Sequence, residues 1–479
     1  MIGKYEKGCK RFITWITLIT FALQPALAAA QVITDPGAPG QKKPVIETTA
    51  NGLPIVQIAP PSGAGVSHNL YLQFDIDPSG LILNNSRVLT STQLAGYVTG
   101  NPHLSGGSAR IILNEVTGAN VSRLNGYLEV AGQRADVIIA NPNGIYGDGF
   151  GFINTGRAVL TTGTPVFGGS GSLDAFRVTG GQVSIEGAGM DAGATDRAEI
   201  ISRAVAVNAG IWAKELHVVT GANQVGYTGL DTQQIIGDAV RPTVALDVGA
   251  LGGMYAHKIL LVGTEAGVGV NSQGTLSAYD GDLTLTNEGK IINAGQISAA
   301  GSIRITTRDG LSNQGTVYAQ DNTSVNAEGV DNSGVMAAAQ NTSVAGRTVS
   351  STGVLGAGIQ NDGMVGGSGD LTISASGLLT AKGRNLAGGK LTVTGASVDQ
   401  SGALAYAGGT ASFTATNGDL DHTGATMQVG GALAISAAGT LKNDQDVTGN
   451  TGRIQADAVT VTAHNISNKG GSILQTGTT

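Results

Sequence analysis

From about residue 281 the chain alternates apolar and polar positions in short runs separated by turn residues. Leu371-Thr372-Ile373-Ser374 and Leu391-Thr392-Val393-Thr394 are typical. Residues two apart then face one interior, and their neighbours are expected to face water. The runs align at Leu283, Ile303, Thr323, Thr342, Leu371, Leu391, Ala411, Leu433 and Val459, at intervals of 20, 20, 19, 29, 20, 20, 22 and 26 residues. Between them, Asn-x-Gly signals recur at Asn287, Asn293, Asn313, Asn332 and Asn361. There the amide can satisfy local backbone groups, and glycine admits positive φ. A strand with turns repeating near every twenty residues cannot bury its apolar face alone, so coils must stack. The pattern predicts an all-β chain, a right-handed parallel β-helix. Leucine-rich repeats share the period but need a Leu-x-x-Leu-x-Leu frame, which is missing, and a globular sandwich would not repeat one strand at a fixed interval. At ~4.8 Å per coil, roughly 20 coils would give a rod on the order of 100 Å long. Longer intervals, such as 342 to 371, read as loops or an extra coil face.

Upstream, from Asn51 to about Thr220, short strands are still visible at Leu81-Ile82-Leu83, Ala109 to Leu113, Val137 to Ala140 and Leu216 to Thr220, but without a fixed period. A solenoid needs an atypical first coil to shield its open edge from pairing. The irregular amino-terminal half is expected to supply that cap. Residues 197–212 are the stretch best suited to a helix, since Ala and Glu are frequent there, yet strands are the expectation.

Composition refines this. Glycine contributes 75 of 479 residues, charged residues 13% and aromatics 4%, so Gly, Ser, Thr and Asn take the place of charge on the surface. The net charge of -7 with no basic cluster argues against a nucleic-acid partner. The first thirty residues carry Lys4, Lys7, Lys10 and Arg11, then an apolar run from Phe12 to Ala28 ending in small residues, which reads as a signal peptide over residues 1-30. Cys9 is the single cysteine and would leave with that leader. A thiol-free exported chain suits passage through a narrow pore, where cross-links formed in an oxidising compartment would obstruct it.

Catalytic chemistry is not visible. His68, His103, His217, His257, His422 and His464 are scattered without carboxylates or cysteines at metal-ligand spacing, and a β-helical lyase or glycosidase would need carboxylates gathered in one groove. The expectation is no enzyme, no metal, no cofactor and no small-molecule substrate. Gly168 to Asp174 is similar to a calcium-binding nonapeptide, but its aspartate comes one position late and the unit does not repeat, so it reads as a glycine-rich loop.

Two asparagine-proline turns stand out: Asn101-Pro102-His103-Leu104 and Asn141-Pro142-Asn143-Gly144-Ile145. In the second, Pro142 presets φ for position i+1 of a type I turn, Asn143 suits i+2 and Gly144 takes positive φ at i+3. Around them lie Leu53-Pro54-Ile55-Val56, Gly63 to Asn69, Leu81 to Ser86, Ser105 to Ala109, Ile112 to Val116 and Ala140. In this order the segments resemble the amino-terminal secretion domain of two-partner-secretion exoproteins, the filamentous haemagglutinin-like family. The family's first turn usually reads Asn-Pro-Asn-Leu, and His103 departs from it.

The resemblance implies a capped β-helix, divided into residues 1-30 as leader, 31-280 as the secretion (haemagglutination activity) domain and 281-479 as haemagglutinin-type repeats. It implies a partner, an outer-membrane β-barrel transporter whose periplasmic polypeptide-transport-associated domains bind the passenger in extended form. It also implies export through the periplasm of a Gram-negative bacterium to the medium or the cell surface. Asn101, Pro102, Leu104, Asn141, Pro142, Asn143, Gly144 and Ile145 carry over as residues that either touch the transporter or form the turns; turn formation is the preferred reading. The delivered rod is expected to be a surface adhesin binding host or neighbouring cells. One alternative is the stalk of a contact-dependent growth inhibition toxin, toward which Asp196 to Asn223 leans; a remote one is a β-helical polysaccharide lyase. The end at Thr479, inside the repeat, reads as a truncation.

Overall fold

The computed structural model describes residues 32–360 and 362–477; the leader, Cys9 and the turn at Asn361 lie outside the described residues. Those residues form a parallel β-solenoid of about 17 turns, each coil contributing strands to three parallel faces. One coil, for example, runs through Gln296–Ala299, Ile303–Asn313 and on to the next at Thr316–Ala319. The expected strand starts are the registered pairs of the sheet. Leu283 pairs with Ile303, Ile303 with Thr323, Thr323 with Thr342, and Thr342 with Leu371. Leu371 then pairs with Leu391, Leu391 with Ala411, Ala411 with Leu433, and Leu433 with Val459. Stacked aliphatic side chains fill the interior, and one core runs without interruption from Val56 to Ala456.

The same column continues upstream, where no period was legible: Ile112, Val137, Ala158, Ala198, Leu216, Ile259 and Leu283 succeed one another coil by coil. Insertions at coil corners hide the repeat. Residues 86–110 hold the small hairpin of Thr90–Thr92 and Gly96–Val98. Two further insertions supply Thr164–Phe167 with Leu173–Val178, and Asn223–Gly226 with Thr232–Gln234, which together make one antiparallel four-stranded sheet. These insertions account for fewer coils than the residue count suggested. The stretch 197–212 is strand, as expected, within Gln182–Ser202, Ala204–Val207 and Gly210–Thr220.

The amino-terminal end is closed by two antiparallel additions: Val32–Thr34 along Val66–Phe74, and Val45–Thr48 along Pro54–Gln57. The cap is therefore short, and most of the irregular half is itself solenoid. Antiparallel strands in front of the first coil use up the edge that would otherwise template pairing.

The outward face of the early coils does not meet water throughout: Leu113, Ile138, Val159, Ile201 and Val219 are buried beneath the four-stranded sheet, against Leu173, Phe176, Val178 and Val225. The continuous apolar run Val137-Ile138-Ile139-Ala140 is the signature of a strand covered on both faces.

Candidate functional site

Each asparagine-proline turn is built around a buried asparagine whose side chain joins coils. Asn101 precedes a single 3-10 turn, Pro102–Leu104, and its Oδ1 accepts from the His103 backbone N–H at 2.9 Å. Its Nδ2 donates to the carbonyls of Ile58, at 3.0 Å, and Asn84, at 2.9 Å. Its backbone N–H donates to the Ser86 carbonyl at 2.7 Å. Pro102 is exposed, the His103 ring half-buried, and Leu104 inserts fully into the main core. Asparagine is suited to this position because one planar amide supplies an acceptor for the turn and two donors for the coils. The departure at His103 leaves the turn's bonding intact, since only its backbone N–H is used.

In the second turn the Asn141 carbonyl accepts from Gly144 N–H at 3.0 Å, the i to i+3 bond expected. Asn141 Oδ1 accepts from the Asn143 backbone at 3.0 Å, and Nδ2 donates to the Asn120 carbonyl at 2.9 Å and to Ser122 Oγ at 3.0 Å. Asn143 Nδ2 donates to the Gly118 carbonyl at 2.7 Å. Gly144 has φ of +118°, and a Cβ there would come within 2.9 Å of the Gln182 carbonyl. A Cβ on Gly181, whose own φ is +78°, would come within 2.7 Å of the Pro142 carbonyl. Ile145 is buried and pairs on one side with Ser122 and on the other with Val183. The turn is thus clamped between the preceding and the following coil.

The structure does not bring the two turns together. Asn101 sits at the corner ahead of the strand Ile111–Val116, whereas Asn141 sits at the corner that follows Ala135–Ala140, one coil later. No single surface patch contains both.

Residues that sequence reasoning missed form a buried polar clasp under the four-stranded sheet. Arg157 pairs with Glu199 and donates to the Tyr227 carbonyl at 2.6 Å, and Tyr227 Oη donates to Asp136 Oδ2 at 2.8 Å. The Arg157 guanidinium also lies 4.2 Å from the Tyr227 ring centroid. Burial pushes the Glu199 carboxyl above its usual range despite two neighbouring arginines, and burial with the Asp136 charge pushes the Tyr227 phenol up. A second clasp centres on Arg203, which donates to the carbonyls of Thr179, Asp238 and Val240 and pairs with Glu265 at 2.9 Å. Nothing in the local sequence marks these residues, because their partners lie 24 to 91 positions away.

Comparison with known proteins places these features in context. The family model described as TPS secretion domain matches residues 30–293. Toxin CdiA of Yersinia pestis is 44% identical over 481 residues, which cover 98% of this chain and 14% of that protein. The tRNA nuclease CdiA-2 of Burkholderia pseudomallei (strain 1026b) is 41% identical over 437 residues, 91% of this chain and again 14% of the relative. The chain thus spans about a seventh of the length of these curated relatives. Among solved structures, the filamentous hemagglutinin secretion domain matches with a TM-score of 0.54 at 31% identity, over 59% of this chain and 95% of that one.

Proposed function

The chain belongs to the family of exoproteins that carry a TPS secretion domain, and on that premise we propose that residues 31-280 engage the transporter while residues 281-479 are the rod it delivers. As a two-partner secretion exoprotein the chain is exported through the periplasm of a Gram-negative bacterium and is secreted or held at the cell surface. Its TPS domain implies an outer-membrane transporter. In this reading the transporter is a β-barrel whose periplasmic polypeptide-transport-associated domains hold residues 31-280 unfolded until they emerge. The division at residue 280 is one of role, since the core itself is continuous.

Asn101, Pro102, Leu104, Asn141, Pro142, Asn143, Gly144 and Ile145 act by forming turns. The observation that carries this assignment is that both side-chain donors of Asn101 and of Asn141 already bond groups of the chain, on adjacent coils, at separate corners. Coils that close outside the cell oppose backsliding, each buried aliphatic side chain contributing about 1.5–3 kcal/mol before entropy is subtracted. The test is export of Asn141→Ala and Pro142→Ala in cells producing the transporter, with culture supernatant compared against periplasmic extract. Precursor retained in the periplasm is the expected result; normal export of both variants sinks the role of that turn.

We assign the delivered rod to adhesion on host or neighbouring cells. A second reading, the stalk of a contact-dependent inhibition toxin, is favoured by the relatives named CdiA. The nuclease name of the Burkholderia pseudomallei relative describes that protein, and no catalysis is assigned to these coils. Mixed culture with a non-producing strain separates the two: aggregation with unchanged target growth supports adhesion, and contact-dependent arrest of the target supports the toxin stalk.

A further inference from the structure

The inner corner of each late coil, where one strand ends and the next begins, is filled by two columns of buried side chains. In the first, Asn332 is registered with Ser351 and Ser351 with Ala381. Pairing of Thr380 with Asp399 and of Asp399 with Asp421 carries that column on to Gln400 and His422. In the second, Leu355 is followed by Asn385, Ala405 and Met427. The columns meet where Asn385 Nδ2 donates to the Ala381 carbonyl at 3.0 Å. Ala381 with Asn385 fills its corner with fewer side-chain atoms than Ser351 with Leu355 on one side or Gln400 with Ala405 on the other. Both of these middle corners hold fewer than His422 with Met427.

Asn385, Gln400 and His422 are fully buried. Asn385 Oδ1, both polar atoms of the Gln400 amide and His422 Nδ1 have no hydrogen-bond partner among the described residues. Earlier in the first column the polar side chains bond from coil to coil as far as Ser351, but Ala381 carries no polar group to continue the series. His422 Nε2 lies 3.2 Å from the Arg453 carbonyl, so the ring hydrogen sits on Nε2 and Nδ1 is an acceptor. Burial keeps that ring neutral. Asn385 Oδ1, Gln400 Oε1 and His422 Nδ1 therefore all need donors. The one donor group facing them, Gln400 Nε2, cannot serve the oxygen of its own amide. No rearrangement among these three side chains satisfies them all, and buried polar atoms left unbonded are unfavourable.

We propose that the corner formed by Ala381, Asn385, Gln400 and Ala405 is a binding site for enclosed water. One molecule donates to both Asn385 Oδ1 and Gln400 Oε1, joining two acceptors that cannot bond each other. A second accepts from Gln400 Nε2 and donates to His422 Nδ1. Water fits because it supplies donors and an acceptor without bringing charge, and the small side chains at Ala381 and Ala405 leave it space. A bare cation would also meet the three acceptors. Asp399 and Asp421, however, alternate to the outer face, with Lys382 Nζ 2.9 Å from Asp399, so the corner holds no carboxylate to balance a buried charge. The site exists only once the coils of Asn385, Gln400 and His422 have stacked, so the water is captured as they close.

The test is a crystal structure of the full chain at a resolution that shows ordered water, together with water-oxygen-17 relaxation dispersion, which detects long-lived internal water in solution. Density is expected within hydrogen-bond distance of both ends of the Gln400 amide, and Gln400→Leu should lose that density and part of the long-lived water signal. Circular dichroism matching the parent establishes that the variant is folded; if it is not, the density in the parent decides alone. Three results overturn the proposal: no density at the amide, a peak with the anomalous scattering of a metal, or a long-lived water signal unchanged in folded Gln400→Leu.

Discussion

Asn313 Nδ2 donates to Asn332 Oδ1 at 2.8 Å, joining side chains on adjacent coils inside the solenoid. Asn293 makes the same bond to Asn313 at 2.7 Å, and Asn332 passes it on to Ser351 Oγ at 3.1 Å. These amides were read as local turn formers; Asn287 and Asn313 do bond their own turns, at the Gly289 carbonyl, 2.8 Å, and the Gly315 carbonyl, 3.2 Å, and Asn293, Asn313 and Asn332 also make a ladder along the rod. Asn313→Ala should cost about 1–3 kcal/mol, because Asn293 then keeps a buried donor without its partner. Ser272, registered with Asn293, faces it with no bond between them. Ser272→Asn should add a rung and raise stability by about 1 kcal/mol. Urea denaturation followed by circular dichroism checks both, and opposite signs are the signature.

Asn101 and Asn141 share no hydrogen-bond partner and sit at different corners. Their alanine variants should therefore add. The double variant should lose the sum of the single losses to within about 0.5 kcal/mol. Coupling of more than that would mean the turns act as one unit.

Arg157 balances Glu199 where neither reaches solvent. Arg157→Met should destabilise the fold, by less than the roughly 3–5 kcal/mol of a fully stranded buried charge, because Arg197 Nε still lies 2.8 Å from Glu199 Oε1. Adding Glu199→Gln should recover much of the loss. If the double variant is no better than Arg157→Met, the ion pair is not what holds the four-stranded sheet to the coils; protease cleavage within 221–243 is a convenient readout of that sheet's release.

Burial holds the His422 imidazole down to about 4, against an ordinary 6.5, while Nε2 lies 3.2 Å from the Arg453 carbonyl. The unfolded imidazole takes a proton that the folded one refuses. Stability from this residue is complete above about pH 6.5 and drains as pH falls toward 4, by an amount on the order of 3 kcal/mol. His422→Gln should flatten the slope of stability against pH across that window. An unchanged slope would show that His422 protonates without cost in the folded coil.

The coil register from Leu283 to Val459 was legible because the alternation that fills the interior is local and its spacing survives in the sequence. The turn at Asn141 was legible for the same reason: Pro142, Asn143 and Gly144 each impose their own backbone preference. Upstream, insertions after Ser86, Thr161 and Gly221 stretch the intervals between stacked residues. Val137, Ala158 and Ala198 therefore share one column without sharing a period.

Residue order by itself determined that this chain is an all-β solenoid, where its repeats pair, and which two turns punctuate its amino-terminal half. Tertiary structure alone decided that the outward side of the early coils is covered, that Asn293, Asn313 and Asn332 bond one another, and that Arg157 meets Glu199. The reason is physical: backbone and side-chain preferences act between near neighbours in the chain. Burial and pairing across coils depend on which distant residues the stacking brings within reach.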